Sequence, residues 1–264
     1  GCCFGDYDLD GDLDLFVAGF ASNNSGNRLF RNNGNETFTD MTAAIGLFSG
    51  ISGTSGFAPR FQDMNGDFYP ELLLVADFGT SHYFRNDTDG TFTEMANGAN
   101  TAQEENGMGQ TVGDYNNDGF MDLVADGGVW KNPGAANWPD HHYLKIKLVG
   151  GQGANSLVNG SAIGSQVRID VPGLGTVTRQ VEGGTGQSVQ NDLTLHFGLG
   201  THDSPVDLEI FWADGTEQTV LGVGVDQFLT IAIPEPGTVM LALCGLLFGL
   251  PSRRLRRWDT RRSV

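Results

Sequence analysis

Cysteine is scarce in this chain, and its spacing excludes the usual cysteine-based frameworks. Only three cysteines occur in 264 residues, and two of them, Cys2 and Cys3, are adjacent. The third, Cys244, lies in an apolar run. This spacing fits neither a disulfide framework nor a zinc site within the chain. Pairing of Cys2 or Cys3 with a residue of a longer chain stays open.

Positive charge is also scarce. The chain has 15 Lys and Arg against 32 Asp and Glu, a formal net charge of −17. Residues 252–264 hold six arginines and one aspartate, a net charge of +5, which leaves −22 on residues 1–251. A body this acidic repels phosphates. We therefore expect no nucleic-acid partner.

The short motifs of common catalytic centres are missing as well. The sequence contains no G-x-S-x-G elbow, no H-E-x-x-H pair and no P-loop, and its five histidines are scattered. Close carboxylate pairs are a feature of glycoside hydrolases, but every close pair here belongs to the loops described next. We predict no catalytic residue in this chain.

What the sequence does contain is a repeat. The segments FGDYDLDGDLDLFVAG (4–19), FQDMNGDFYPELLLVADFG (61–79) and VGDYNNDGFMDLVADG (112–127) share an acidic loop followed by a strand-like run. A second pattern, LFRNNGNETFTDM (29–41), matches YFRNDTDGTFTEM (83–95) at a constant offset of 54, with seven of thirteen positions identical. Two patterns that recur together every 50-odd residues indicate a repeated structural unit.

The acidic loops predict bound calcium. Each loop has oxygen-bearing side chains at positions 1, 3, 5 and 9 and a backbone carbonyl at position 7, and Ca²⁺ takes six to eight oxygens at about 2.3–2.6 Å. Position 6 is glycine in the first and third loops, which allows a sharp turn, but Phe68 in the second, which makes that site the poorest. The predicted ligands are Asp6, Asp8, Asp10 and Asp14 with the carbonyl of Asp12 in the first loop (6–14), Asp63, Asn65, Asp67 and Glu71 in the second (63–71), and Asp114, Asn116, Asp118 and Asp122 in the third (114–122).

Three other interpretations of the loops compete with calcium. An EF-hand needs a bidentate Glu at position 12 and a helix on each side, but position 12 is Val17, Leu74 or Ala125 and the flanks are strand-like. Magnesium is less favoured because it prefers to keep waters. Solvated acidic turns without an ion stay open, most of all for the second loop.

The fold class expected is all-β. Strand-like runs and Gly/Asn-rich turns alternate through residues 1–133, with no sustained helical period, and repeats of about 50 residues are typical of β-propeller blades. The D-x-D/N-x-D-G-x-x-D loops in these units resemble FG-GAP/VCBS repeats, the calcium-binding blades also seen in integrin α chains. The resemblance implies a partial propeller of about three blades in residues 1–133. Family propellers usually have about seven blades. Either an N-terminal part of a longer chain holds the rest, or this chain presents open strand edges, which favour aggregation.

The remaining residues divide into a linker, a β domain and a tail. After the linker 134–142, strand-like runs bounded by glycines predict a small antiparallel β domain over 143–233. Its segments HHYLKIKLVG, NGSAIGSQVRI, LHFGLG and IFWADGTEQTV resemble the ASPIC/UnbV domain, which follows FG-GAP repeats in cartilage acidic protein-like bacterial proteins. The turn Ala213-Asp214-Gly215 departs from the Pro-Ser-Gly of most relatives.

The tail, 234–264, has a PEP motif, an apolar run and an arginine-rich end. It resembles a PEP-CTERM sorting signal, which implies exosortase as a partner. The apolar run, 239–250, predicts a short helix of only about 18 Å, against a hydrocarbon core of about 30 Å. We expect transient contact with the inner membrane, with the arginines cytoplasmic and the acidic body exported to the cell surface or extracellular matrix.

Two functions fit this organisation. The first is a non-enzymatic, calcium-braced binding or adhesion module for extracellular proteins or glycans, because propeller faces offer wide loop-built surfaces. The second is the C-terminal part of a propeller hydrolase or lyase with its catalytic residues in a missing N-terminal region.

Overall fold

Strands make up all the regular structure described for this protein. The structure is a computed structural model that describes residues 1–20, 26–47, 51–95, 107–125, 128–134, 139–151, 157–184 and 186–234. These residues contain eighteen strands and no complete helix. The strands form five sheets of three or four strands each.

Three sheets, called the repeat sheets below, are built from the repeated units. Consecutive strands are antiparallel neighbours in each of them. Their strands are β1 (Cys2–Gly5), β2 (Asp14–Val17), β3 (Arg28–Asn32) and β4 (Phe38–Asp40) in the first sheet, β5 (Ser55–Gln62), β6 (Glu71–Asp77), β7 (His82–Asn86) and β8 (Phe92–Glu94) in the second, and β9 (Gln110–Gly113), β10 (Asp122–Ala125) and β11 (Gly128–Trp130) in the third.

The repeat sheets pack face to face, and strand β6 shows why its sequence is continuously apolar. Side chains alternate between the two faces of a strand. Leu72 and Leu74 join a buried cluster with the first sheet, whereas Leu73 and Val75 join a cluster with the third. Because both faces of β6 are covered, its apolar and polar residues do not alternate.

Two further sheets, called the C-terminal sheets below, share one core. Leu144, Ile146, Ile169, Phe197 and Leu208 are fully buried in it, and each such side chain contributes about 1.5–3 kcal/mol by leaving water. The orders are β15-β12-β18 and β14-β13-β16-β17. Their strands are β12 (His142–Val149), β13 (Gln166–Val171), β14 (Gly175–Gln180), β15 (Thr194–Gly200), β16 (Val206–Phe211), β17 (Glu217–Val223) and β18 (Gln227–Ala232).

The expectation that this region is purely antiparallel is wrong for one pair of strands. β18 runs parallel to β12, with Leu144 opposite Gln227 and Val149 opposite Ala232. β12 and β18 are the first and last strands of the C-terminal sheets. No hairpin joins them, so no tight turn forces them to be antiparallel.

The prediction of an all-β fold is confirmed for the described residues, and the five small sheets have a propeller-type arrangement. The blade count of about three stays a prediction, and the apolar helix predicted at 239–250 lies outside the described residues. Within the described part of the chain, no helix is long and apolar enough to span a membrane. Gly1–Ile233 form one compact unit, which includes the repeat sheets and the C-terminal sheets.

Candidate metal centre

The three acidic loops occupy equivalent places in the fold and share one backbone shape. Each joins the first two strands of a repeat sheet. Positions 4 and 6 of every loop have left-handed backbone, which glycine adopts at least cost. These residues are Leu9 and Gly11 (φ 57° and 94°), Gly66 and Phe68 (78° and 81°), and Asn117 and Gly119 (58° and 88°).

The first loop gathers three carboxylates. One oxygen from each of Asp6, Asp8 and Asp14 lies within 4.8 Å of the others, the one such group of acidic, His or Cys side chains found among the described residues. Two oxygens that bind the same Ca²⁺ are at most about 5 Å apart, twice the metal–oxygen distance. Asp10 is exposed and its Oδ1 accepts the Asp12 amide at 2.9 Å. The structure thus brings together three of the four predicted side-chain ligands.

Two oxygens of this group have no hydrogen-bond partner. Asp6 Oδ1 and Asp8 Oδ1 are both buried and accept nothing, although their neighbours are satisfied. Asp6 Oδ2 accepts the Gly11 amide at 3.3 Å, and Asp14 accepts the amides of Tyr7 (3.1 Å) and Asn32 (2.8 Å). Buried polar atoms are normally paired. The two orphaned oxygens, on hard-oxygen donors, therefore fit a calcium ion.

Electrostatics at the first loop also favour a cation. Burial, together with the charges of neighbouring carboxylates, raises the pKa of Asp6 to about 7 and that of Asp14 to about 8. Burial raises the pKa of Asp8 as well, with Asp10 adding to it. An opposite charge within a few ångströms favours the ionised form. A bound cation would therefore offset the burial of these charges.

In the second loop, hydrogen bonds join the side chains of three of the four predicted ligands. Asn65 Nδ2 donates to Asp67 Oδ2 (2.9 Å) and to Glu71 Oε1 (3.1 Å). Asp63 accepts the amides of Gly66 (2.7 Å) and Phe68 (3.1 Å). Burial raises the pKa of Asp63 and Glu71, and that of Asp67 to about 6. In this loop the side-chain amide of Asn65 therefore bridges the carboxylates of Asp67 and Glu71.

The third loop repeats this arrangement with one addition. Asn116 Nδ2 donates to Asp118 Oδ2 at 2.9 Å, and buried Asp122 accepts the amides of Tyr115 (3.2 Å) and Asn132 (2.8 Å). Asp114 Oδ1 accepts the Asp118 amide at 3.0 Å. Its Oδ2 accepts the Gly119 amide at 3.0 Å and also a lysine ammonium from β12. The third loop therefore has a cation of the protein beside it.

A repeated asparagine holds each loop, and the sequence interpretation assigned it no role. The asparagine lies at the end of the third strand of its repeat sheet or just after it. Its Nδ2 donates to the backbone carbonyl at position 8 of the loop. The pairs are Asn32 to Leu13 (3.2 Å), Asn86 to Pro70 (3.3 Å) and Asn132 to Met121 (3.2 Å). The signal was present in the sequence, because the second repeated pattern places Arg-Asn at 31–32 and 85–86 and Lys-Asn at 131–132.

The same asparagines link one repeat sheet to the next. Asn86 also donates to the carbonyl of Tyr7 at 2.8 Å, and Asn132 donates to the carbonyl of Met64 at 2.5 Å. Tyr7 and Met64 are both at position 2 of the preceding loop. The loops are thus held in a connected row.

The C-terminal sheets contact all three loops at one equivalent atom, the carbonyl oxygen of position 6. A different side chain donates to each. The pairs are Thr178 Oγ1 to Gly11 (3.1 Å), Arg179 Nη2 to Phe68 (3.0 Å) and His196 Nε2 to Gly119 (2.7 Å). Thr178 and Arg179 lie on β14 and His196 lies on β15. The acidic loops therefore face the C-terminal sheets.

His196 is a packed strand residue. It is 5% exposed, and burial lowers the pKa of its imidazole to about 4. The ring is therefore neutral at neutral pH, and the carbonyl at Nε2 assigns the proton to that nitrogen. Tyr143 stacks beside it with 6.1 Å between ring centroids.

Two family models match the chain. The model of the FG-GAP-like repeat matches residues 6–74 and 63–125, and the model named ASPIC and UnbV matches residues 155–237. The chain carries FG-GAP-like repeats and an ASPIC/UnbV domain. Both FG-GAP matches begin at an acidic loop and end in the strand that follows the next one, so all three loops belong to the repeat. No curated protein matches the chain.

These matches confirm the two resemblances read from the sequence at the level of repeat and domain. The ASPIC/UnbV match includes β13 to β18. It therefore includes all three side chains that donate to the position-6 carbonyls of the loops, Thr178, Arg179 and His196. The sorting signal predicted at 234–264 stays a prediction, and residues 235–264 lie outside the described residues.

Proposed function

We propose that this protein is an exported, non-enzymatic binding module that is braced by calcium and recognises an extracellular protein or glycan. FG-GAP-like repeats and an ASPIC/UnbV domain indicate a propeller-type module of extracellular character. The observation that carries the binding role is a cluster of three phenylalanines on the repeat sheets, two of them exposed, called the aromatic cluster below.

The aromatic cluster consists of Phe20, Phe57 and Phe78. The ring of Phe20 lies 5.2 Å from that of Phe57 and 6.2 Å from that of Phe78, centroid to centroid. Phe20 is 58% exposed and Phe78 is 70% exposed. Aromatic side chains are enriched at the cores of interfaces. Phe57 is partly buried against the core. The two exposed rings and this partly buried one form a candidate contact surface.

Strand direction places this cluster away from the acidic loops. β5 ends at the second loop and β6 begins at it, whereas Phe57 lies near the start of β5 and Phe78 follows the end of β6. The loops and the aromatic cluster therefore lie at opposite ends of the same strands. Because the C-terminal sheets contact the loop end, the other end is available to a partner.

Calcium has a structural part in this proposal. Asp6, Asp8 and Asp14 would hold the ion, which would supply positive charge to buried carboxylates. At about 1 mM Ca²⁺ and a dissociation constant of about 10⁻⁴ M, one such site stabilises the folded chain by about 1.4 kcal/mol. The stabilisation would act where the first two repeat sheets and the C-terminal sheets meet.

Export is the part of the proposal that depends on the tail. The PEP motif, the apolar run and the arginines of 234–264 support recognition by an exosortase and transient contact with the inner membrane. The cell surface or extracellular matrix would then be the site of action.

The binding role can be tested with the aromatic cluster. The probes are an array of immobilised bacterial envelope polysaccharides and a panel of immobilised matrix proteins. We expect the native chain to bind at least one probe and a Phe20→Ser, Phe78→Ser double variant to bind it at least 10-fold more weakly, about 1.4 kcal/mol. Leu221→Ser, at a position 73% exposed on β17, is the matched control and should bind as the native chain does. Equal binding by the double variant, or no binding to any probe, would contradict the proposal.

A further inference from the structure

Lys145 reaches the third acidic loop from the C-terminal sheets. Its Nζ lies 3.2 Å from Asp114 Oδ2 and 3.1 Å from Asn117 Oδ1. The side chain of Lys145 is 12% exposed and that of Asp114 is fully buried. This is an ion pair in a largely dry setting, between strand β12 of the C-terminal sheets and position 1 of a repeat loop.

The first and third loops differ in the hydrogen-bond partners of the carboxylate at position 1. In the first loop, Asp6 keeps one buried oxygen without a partner. In the third loop, both oxygens of Asp114 are used, since Oδ1 accepts the Asp118 amide and Oδ2 accepts both the Gly119 amide and the lysine. Arg179 attracts the Asp6 carboxylate but donates no hydrogen bond to its Oδ1. One buried oxygen of Asp6 therefore still lacks a partner, whereas both oxygens of Asp114 have one.

The ammonium and a calcium ion would also compete for the same place. An ion bound to Asp114 Oδ2 would be about 2.4 Å from that oxygen, and Lys145 Nζ is 3.2 Å from the same oxygen. The two positive charges would then be within about 6 Å of each other in a setting that excludes most water, where like charges repel strongly.

We infer that Lys145 takes the place of a calcium ion at the third loop, so that the C-terminal sheets, rather than a metal, supply the positive charge beside Asp114. The inference deepens the proposed calcium brace and rests on it, because it assigns calcium to the first loop and lysine to the third. The second loop has no part in it.

Equilibrium dialysis with ⁴⁵Ca²⁺ against the metal-stripped full chain measures the number of ions bound per chain. We expect Lys145→Met to bind one more ion than the native chain, because the variant frees Asp114 Oδ2 and removes the competing charge. Lys147→Met is the matched control. It removes the same charge from an exposed position two residues along β12 and should leave the number unchanged. No gain in Lys145→Met, or an equal gain in Lys147→Met, would overturn the inference.

A second pair of variants keeps the test decisive if Lys145→Met does not fold. In the otherwise native chain, Asp114→Asn should leave the number of bound ions unchanged, whereas Asp6→Asn should lower it by one. A loss of one ion in Asp114→Asn would overturn the inference. An unchanged number in Asp6→Asn would instead contradict the calcium brace at the first loop, and the Asp114→Asn result would still decide the third.

Discussion

Phe68 holds a backbone conformation that most side chains avoid. Its φ of 81° is in the left-handed region, which costs a residue with a Cβ roughly 1–2 kcal/mol. The equivalent residues of the other loops are Gly11 and Gly119. The side chain of Phe68 packs against the core of the C-terminal sheets, and this contact offsets the strain. Phe68 therefore stabilises the fold through the packing of its side chain, whereas its backbone conformation is unfavourable.

Substitutions at Phe68 separate the energy of side-chain packing from the energy of backbone strain. Phe68→Ala and Phe68→Gly both lose the packing, but only alanine keeps the strain. We expect the glycine variant to be more stable than the alanine variant by about 1 kcal/mol, measured as the free energy of unfolding in urea. At Tyr69, whose φ is not positive, the order should be reversed. The same order at both positions would show that the left-handed backbone costs nothing.

At the scale of strands and loops, the asparagine side chains decide how neighbouring repeat sheets are joined. Asn86 is buried and bonds to Pro70 of its own loop unit and to Tyr7 of the preceding one. Its Oδ1 also accepts the Thr88 amide at 3.0 Å. The Asn86 side chain therefore links two repeat sheets, and its removal would leave the backbone carbonyls of Tyr7 and Pro70 without this donor.

Replacing Asn86 tests this link. We expect Asn86→Ala to lower the free energy of unfolding by about 2 kcal/mol, because a buried polar group left unpaired costs about 1–3 kcal/mol. Asn35→Ala is the control. It changes the same residue type in the exposed turn between β3 and β4 and should cost less than about 0.5 kcal/mol. Chemical denaturation of the two variants measures both values, and equal losses would refute the linking role.

For the molecule as a whole, the dominant electrostatic feature is negative charge that the fold buries. The chain carries −17, and Asp6, Asp14, Asp63, Glu71 and Asp122 are all nearly or fully buried. Their raised pKa values mean that the metal-free folded state binds protons that the unfolded chain does not. Stability must therefore depend on pH and on cations together.

The sign of this dependence is fixed by the raised pKa values of Asp6 and Asp14, about 7 and about 8, against about 3.9 in an unfolded chain. Between pH 5 and pH 8 the folded state holds more protons, so stability falls as pH rises. His196, with its pKa lowered to about 4, acts in the opposite direction below about pH 6.5, but it is one group against several carboxyls.

We therefore expect the Tm of the metal-stripped chain to be lower at pH 8 than at pH 5, and excess Ca²⁺ to raise the Tm most at pH 8. Differential scanning calorimetry at both pH values, with and without added Ca²⁺, measures the effect. The added Ca²⁺ is about 5–10 mM, which is roughly five to ten times the free concentration assumed above for the site. A Tm that rises with pH in the metal-free chain would contradict the burial of these charges.

The sequence by itself determined the all-β class, the period of the repeats and the candidate ligands of each loop. These features depend on residues a few positions apart, where the spacing of side chains and turns fixes the geometry. Asp6, Asp8 and Asp14 were predictable in this way. The expectation that position 6 needs glycine for the sharp turn was less reliable. Phe68 makes the same turn as Gly11 and Gly119, because the packing of its side chain offsets the backbone strain.

Only the tertiary structure decided what the loops face. Thr178 is 167 residues from Gly11, and His196 is 77 residues from Gly119, so no local pattern records these contacts. The pairing of Lys145 with Asp114 and the parallel alignment of β18 with β12 are of the same kind. The side-chain contacts arise from the packing of the C-terminal sheets against the loops, whereas the strand alignment arises within one of those sheets. Both depend on shape and burial across the whole chain.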